Sequence, residues 1–118
     1  MARIRSDFFV AAHLRRCAVE GVDAVLRRRG AAEAGAIFVS VDRLDGTIDL
    51  YGPAPQSLVG EDKGGRVFAP VLTGAEPAAI ETRMRRELGF DPDLWWIGID
   101  DRQGRALLDL AEGPGTKR

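Results

Sequence analysis

The chain is predicted to fold as an α+β domain, a mostly antiparallel sheet of about five to six strands with two helices packed on one face. Three observations predict it. Ile37–Asp42 and Thr47–Tyr51 each alternate apolar and polar residues about an Asp45-Gly46 turn. Ile80, Met84 and Leu88 recur at helical spacing between Pro77 and Gly89. The strands, including the apolar runs near Val22, Val67 and Leu94, are mostly joined by short turns rather than helical crossovers.

The hairpin is the element on which the rest is built. A two-residue primed turn at Asp45-Gly46 pairs Arg43 with Ile48, Asp42 with Asp49, Val41 with Leu50 and Ser40 with Tyr51. That register puts Val39, Val41, Ile48 and Leu50 on one buried face. It also sets Asp42 against Asp49 on a wet face, where like charges are mildly destabilising. A cation between them is disfavoured, because divalent ions need more oxygen ligands than two carboxylates supply.

Taken from the start, Phe8–Glu20 reads two ways. Phe8, Phe9 and Val10 favour a short strand, while Ala11 to Glu20 favours a helix closed by a left-handed Gly21. A strand running into a helix is the reading adopted; one continuous helix capped by Asp7 is the alternative. Val22–Arg28 is a strand with Val22, Ala24 and Leu26 on one face, and Gly30–Gly35 connects it to the hairpin. The stretch from Pro53 to Arg66 is the longest without periodicity, and loops of that length in compact domains are usually functional or disordered. Val67–Leu72 is an edge strand, since Pro70 has no N–H for a central ladder.

In the second helix Pro77 suits the first turn, Glu81 stands four residues before Arg85, and Gly89 is the closing left-handed residue. Phe90 then folds back on the last turns. Asp91-Pro92-Asp93 turns into the strand Leu94–Asp100, with Trp95, Ile97 and Ile99 on one face and Trp96 and Gly98 on the other. Asp101–Arg105 turns again, and Ala106–Leu110 packs back as a short strand or helix. Residues 1–111 form one domain, and the polar Glu112–Arg118 is a disordered tail.

The totals narrow the function. A length of 118 residues suffices for one core without metal or disulfide staples. Lys plus Arg is 17 and Asp plus Glu is 18, so no long-range positive field exists to hold nucleic acid, although a local patch remains open. The lone Cys17 fits a reducing compartment. No apolar run reaches the length of a membrane span, and the run after Met1–Arg5 is too short for a signal peptide. The cytoplasm is the expected location, with no membrane association.

No stretch carries a strong catalytic, cofactor or metal signature. His13 and Cys17 lie one helical turn apart, but no third group orients them, and a buried thiol beside a structural histidine is the better reading. One Cys and one His make a poor zinc site. Gly60–Arg66 is glycine-rich without the spacing of a phosphate cradle. Glu87, Asp91, Asp93, Asp100 and Asp101 gather late in the chain, where a metal-dependent enzyme would need them, yet each has a local role as helix surface or turn residue. The arginines are the more informative group, because guanidinium forks suit carboxylates and phosphates. Arg15, Arg16, Arg27 and Arg29 form one positive surface if the first helix packs on the first strand, although a solvated charged face is the better reading of them. With Trp96 and Arg66 they make up the candidate ligand or partner surface.

Several segments resemble the domain of unknown function 1491 family of short bacterial proteins. They are Val10–Arg16, Arg28–Gly30, Glu33–Val39, Arg43–Gly46, Leu50–Ser57 and Phe90–Trp95. The likeness extends nearly to Asp109. It implies a small cytosolic bacterial protein with no assigned activity, and no functional residue is carried over by it.

The leading expectation is a non-catalytic binding domain that recognises a protein partner or copies of itself, as a homo-oligomer. The surface would be an open edge such as Val67–Leu72 or the Pro53–Arg66 loop. The alternatives are an anionic ligand, nucleotide or RNA, held by the arginine surface, and a metal-dependent enzyme using the late carboxylates.

Overall fold

The computed structural model describes residues 4–55 and 66–111. The tail at 112–118 and most of the Pro53–Arg66 loop lie outside the described residues. Among the described residues seven elements follow in order: α1 (Ser6–Val19), β1 (Asp23–Arg28), β2 (Ile37–Asp42), β3 (Ile48–Pro53), β4 (Phe68–Ala75), α2 (Pro77–Phe90) and β5 (Trp95–Asp100). The five strands form one sheet in the order β1-β5-β2-β3-β4. This is an α+β fold with a mostly antiparallel sheet.

The sheet is mixed, because β5 runs parallel to β2. β2, β3 and β4 form an antiparallel meander, so β4 points the same way as β2. A parallel neighbour for β2 then needs a crossover, and α2 supplies it between β4 and β5. β1 closes the other side, antiparallel to β5.

One helix covers each face of the sheet, where the sequence suggested both on one. Ile37, Val39, Val41, Trp95, Ile97 and Ile99 pack with Val10 and Cys17 of α1. Phe38, Leu50, Leu94 and Trp96 pack with Ile80 and Met84 of α2. The reason lies in the two central strands. Apart from Ser40, β2 is apolar in both registers up to Val41, and Leu94-Trp95-Trp96-Ile97 leads into β5 without a polar break. Such strands bury both faces.

The hairpin reverses at the expected place, but one residue out of the expected register. The observed pairs are Asp42 with Ile48, Val41 with Asp49, Ser40 with Leu50 and Val39 with Tyr51. The Arg43 amide donates to the Thr47 carbonyl at 3.0 Å, closing a loop of Leu44, Asp45 and Gly46. Leu44 (φ 63°) and Gly46 (φ 93°) are the left-handed residues, while the Asp45 carboxylate accepts from the Thr47 amide and hydroxyl. Val39 and Val41 therefore face α1, and Leu50 faces α2. Asp49 does not confront Asp42. It is buried, takes Arg43 at 2.8 Å and accepts the Gly74 amide at 2.8 Å.

α1 is one continuous helix, not a strand followed by a helix. Its buried residues are Ser6, Val10, His13 and Cys17, a helical stripe that outweighs the strand preference of Phe8 and Phe9. Its side-chain cap is not Asp7, which instead pairs with Arg5 at 3.2 Å. Gly21 does end it in the left-handed region, at φ 75°. The Gly21 amide donates to Ala18 and the Val22 amide to Cys17, the paired bonds of a Schellman motif, with Val22 and Cys17 buried together.

The end of α2 differs from expectation. Gly89 has no positive φ, the helix runs on through Phe90, and the Phe90 ring is 76% exposed rather than folded back. Asp91 is extended (φ −139°, ψ 90°) because Pro92 follows it, and that ends the helix. Glu81 pairs with Arg27 rather than Arg85, and Arg83 takes Glu87 at 2.8 Å. A β-carbon at Gly89 meets nothing within 4 Å. Gly89→Ala is therefore expected to raise stability by about 0.5–1 kcal/mol. A loss of stability in urea unfolding would instead restore Gly89 as a left-handed cap.

Ala106–Leu110 forms no strand or helix; its one ladder contact is a parallel bridge between Leu110 and Phe68. Among the described residues, no helix is long and apolar enough to cross a membrane.

Candidate functional site

The two outer strands of the sheet differ in how their edges are treated. On β4 the Phe68 amide donates to the Asp109 carbonyl at 2.9 Å, and the Ala111 amide returns to Phe68 at 2.8 Å. Pro70 has no N–H to offer, and the β3–β4 ladder is irregular on both sides of Leu50. The Val67–Leu72 edge, expected to be open, is thus covered at its start and blunted beyond it. β1 is the edge left open. Among the described residues no backbone bond joins Asp23–Arg28 to anything but β5, and Val25 is 62% exposed.

Beside β1 the sheet carries a trough of about 440 Å³ on the α2 side, lined by Asp23, Val25, Arg27, Ser40, Asp42, Ile48, Gly98 and Asp100. It exists because α2 packs across β3 and β4 and leaves this end of β1, β5 and β2 uncovered. Register then aligns three carboxylates: Asp23 lies opposite Asp100, and Asp100 lies opposite Asp42. The Asp42 carboxylate accepts the Leu44 amide at 2.8 Å. Among the described residues, the Asp23 and Asp100 carboxylates have no hydrogen-bond or ion-pair partner.

Arg27 is the cation of the trough. Its stem crosses Gly98, where a β-carbon would come within 2.7 Å of Arg27 Cδ. Its guanidinium stacks 3.8 Å from the centre of the Trp96 ring and gives one N–H to Glu81 at 3.2 Å. Trp96 is buried beneath it and donates through Nε1 to Ser40 Oγ at 2.9 Å.

The remaining arginines of the expected surface lie elsewhere. Arg15 and Arg16 are exposed in the last third of α1, and Arg16 reaches the Leu107 carbonyl at 3.4 Å. Arg29 follows β1 at its far end, with its guanidinium 5.5 Å from the Trp95 ring. Arg66 is buried and donates to the Ile4 carbonyl at 3.0 Å and Ser6 Oγ at 2.8 Å. α1 does pack on β1, but Arg27 points to the opposite face from α1, so the four arginines do not converge. The sequence offered Arg27 and Trp96 as candidates. It did not single out β1 as the open edge or Asp23 as a lining residue, because strand order and register alone place Asp23 beside Asp100.

His13 and Cys17 are both buried on the α1 side. The Ala106 carbonyl only accepts, so His13 Nε2 at 3.0 Å carries the proton and donates to it. Burial holds the imidazole below its usual pKa and pushes the thiol up, the reverse of an activated pair. The late carboxylates also disperse. Glu87 takes Arg83, Asp91 accepts the Ala36 and Asp93 amides, and Asp101 takes Arg105 at 2.8 Å. Among the described residues, no three metal-ligating side chains are grouped to hold an ion.

These two environments set a pH dependence. Asp101 is held at about 2, first by its side-chain bonds to Arg105, against an ordinary 3.8. A depressed carboxylate stabilises the fold above 3.8 and loses that contribution as pH falls through about 2. His13, held below 6.5, favours the fold while neutral, so stability begins to fall below pH 6.5. Urea midpoints measured against pH should show both declines. Asp101→Asn should flatten the lower one and His13→Gln the upper one.

The comparisons with known proteins fit this geometry. The model for the protein family of unknown function DUF1491 matches residues 4–109. The chain belongs to the DUF1491 family. The solution structure of a protein from A. tumefaciens is 39% identical, with a TM-score of 0.80 over 95% of this chain and 98% of that one. A crystal structure of a DUF1491 family protein from Caulobacter crescentus is 30% identical, with a TM-score of 0.75 over 92% and 98%. An NMR structure of a DUF1491 family protein from Caulobacter crescentus gives 31% and 0.74 over 92% and 97%. No curated protein matches the chain. Family membership therefore brings a shared fold and no known function.

Proposed function

We propose that this DUF1491 protein is a polypeptide-binding module whose recognition surface is the outer edge of β1 and the trough beside it. The observation that carries the reading is the contrast between the two edges, one covered and interrupted, the other unpaired with Val25 standing out from it. An added strand satisfies the outward amides and carbonyls of β1, while its side chains enter the trough on one face. Asp23 and Asp100, which have no partner among the described residues, favour a cationic side chain there.

Anion recognition by an arginine surface has less support, because the arginines diverge and Arg27 is engaged by Glu81 and Trp96. A metal-dependent reaction at the late carboxylates has less support, because Glu87 and Asp101 are paired with arginines. The test places a photo-crosslinking amino acid at Val25 or at Thr73 on β4, in bacterial cells expressing the protein. Polypeptide adducts are expected from position 25 and not from position 73. No adducts from position 25, or equal yields from both, would contradict the proposal.

A further inference from the structure

We propose that the occupant of this edge is a second copy of the chain, with β1 pairing antiparallel to β1 about a two-fold axis at Val25. The inference rests on β1 being a recognition edge and names its partner. The β1 sequence is self-complementary in that arrangement. Residues equidistant from Val25 face each other, so Asp23 stands opposite Arg27 of the partner subunit, and Arg27 opposite Asp23 of the partner subunit. The exposed Val25 meets its own symmetry mate on the trough face. On the α1 face the half-buried Ala24 meets Leu26 of the partner subunit, small against large.

The trough gains what it lacks. Asp23 lies opposite Asp100 in the β1–β5 ladder, and among the described residues neither carboxylate has a partner. The partner subunit's Arg27 stands opposite Asp23. In this pairing Arg27 swings out from the Trp96 ring and exchanges its single bond to Glu81 for the carboxylate across the axis. The two-fold axis stands perpendicular to the sheet, which makes the two troughs continuous on one face and places both α1 helices on the other. Because the axis relates like strands, either set of outward backbone groups satisfies the pairing at Val25.

Other registers fit less well. An axis at Ala24 sets Asp23 against Val25 and leaves Arg27 opposite Gly21, outside the strand. An axis at Leu26 sets Val25 against Arg27 and so loses the pairing of Asp23 with Arg27.

The test uses the full chain and two charge reversals. Wild-type protein is expected to dimerise in sedimentation equilibrium. Asp23→Arg and Arg27→Asp should each weaken self-association by roughly tenfold or more, since each sets two like-charge pairs across the axis. Mixing the two variants should restore a dimer, because arginine at 23 then meets aspartate at 27. That restoration also shows that both variants are folded. A wild-type chain that stays monomeric at millimolar concentration overturns the inference, as does a dimer that neither reversal weakens or a mixture that stays monomeric. If the wild type is monomeric yet position 25 still crosslinks to another polypeptide, self-pairing falls and the recognition edge stands. If neither is seen, both fall.

Discussion

Trp95→Ala is expected to destabilise the domain by about 3–5 kcal/mol, a fall in melting temperature of roughly 12–20 °C. Trp95 is 1% exposed and packs with Val10 and Cys17 of α1 and with Ile37 of β2, so its removal opens a cavity where the helix meets the sheet. Its Nε1 also donates to the Ala31 carbonyl at 2.8 Å, tying the connection before β2 to β5. Trp95→Phe separates the two contributions. It retains most of the ring while losing the bond, and should cost only part of the full effect. A loss below about 1 kcal/mol for the alanine variant in urea unfolding would mean that the site collapses freely and that α1 is not seated on this residue.

Gly30→Ala is the second large effect, and its cause is space rather than conformation. A β-carbon at Gly30 runs into the Asp93 carbonyl oxygen, comes within 2.7 Å of the Leu94 main-chain carbon and within 2.6 Å of Trp95 Cδ1. Two of these three neighbours are backbone and cannot swing aside. The adjacent Ala31 amide is bonded to the same Asp93 carbonyl at 3.0 Å, so the two segments are locked together. Overpacking of this kind costs about 1–3 kcal/mol or more. The expected result is a lower urea midpoint with an unchanged slope. A neutral Gly30→Ala would contradict the close approach of this connection to the start of β5.

Much of the architecture was legible because burial writes itself into periodicity. Ile80, Met84 and Leu88 marked α2, Gly21 marked the end of α1, and the opposite faces of Trp95 and Trp96 followed from strand geometry. The errors share a physical origin. Asp45-Gly46 is a two-residue turn signal, but the loop closes between Arg43 and Thr47, with Leu44 left-handed and the Asp45 carboxylate on Thr47, and the register moves by one. With the register moved, β2 and β3 divide their apolar residues between two faces, so a single covered face cannot bury them. The parallel pairing of β5 with β2 joins segments more than fifty residues apart, and no local pattern specifies it.

The candidate site was less legible for the same reason. Arg27 and Trp96 drew notice as residue types, but their stacking depends on Gly98 lying between them in the neighbouring strand. Asp23 drew no notice in the sequence, because only the β1–β5 register sets it beside Asp100. The Val67–Leu72 edge looked open because the return of Asp109–Ala111 to Phe68 has no sequence signature.

Amide hydrogen exchange at β1, followed as a function of protein concentration, addresses the pairing of the open edge most directly. The outward amides of Asp23–Arg28 should become more protected as concentration rises, while those of β4 stay unchanged. Exchange at β1 that is fast and independent of concentration would contradict it.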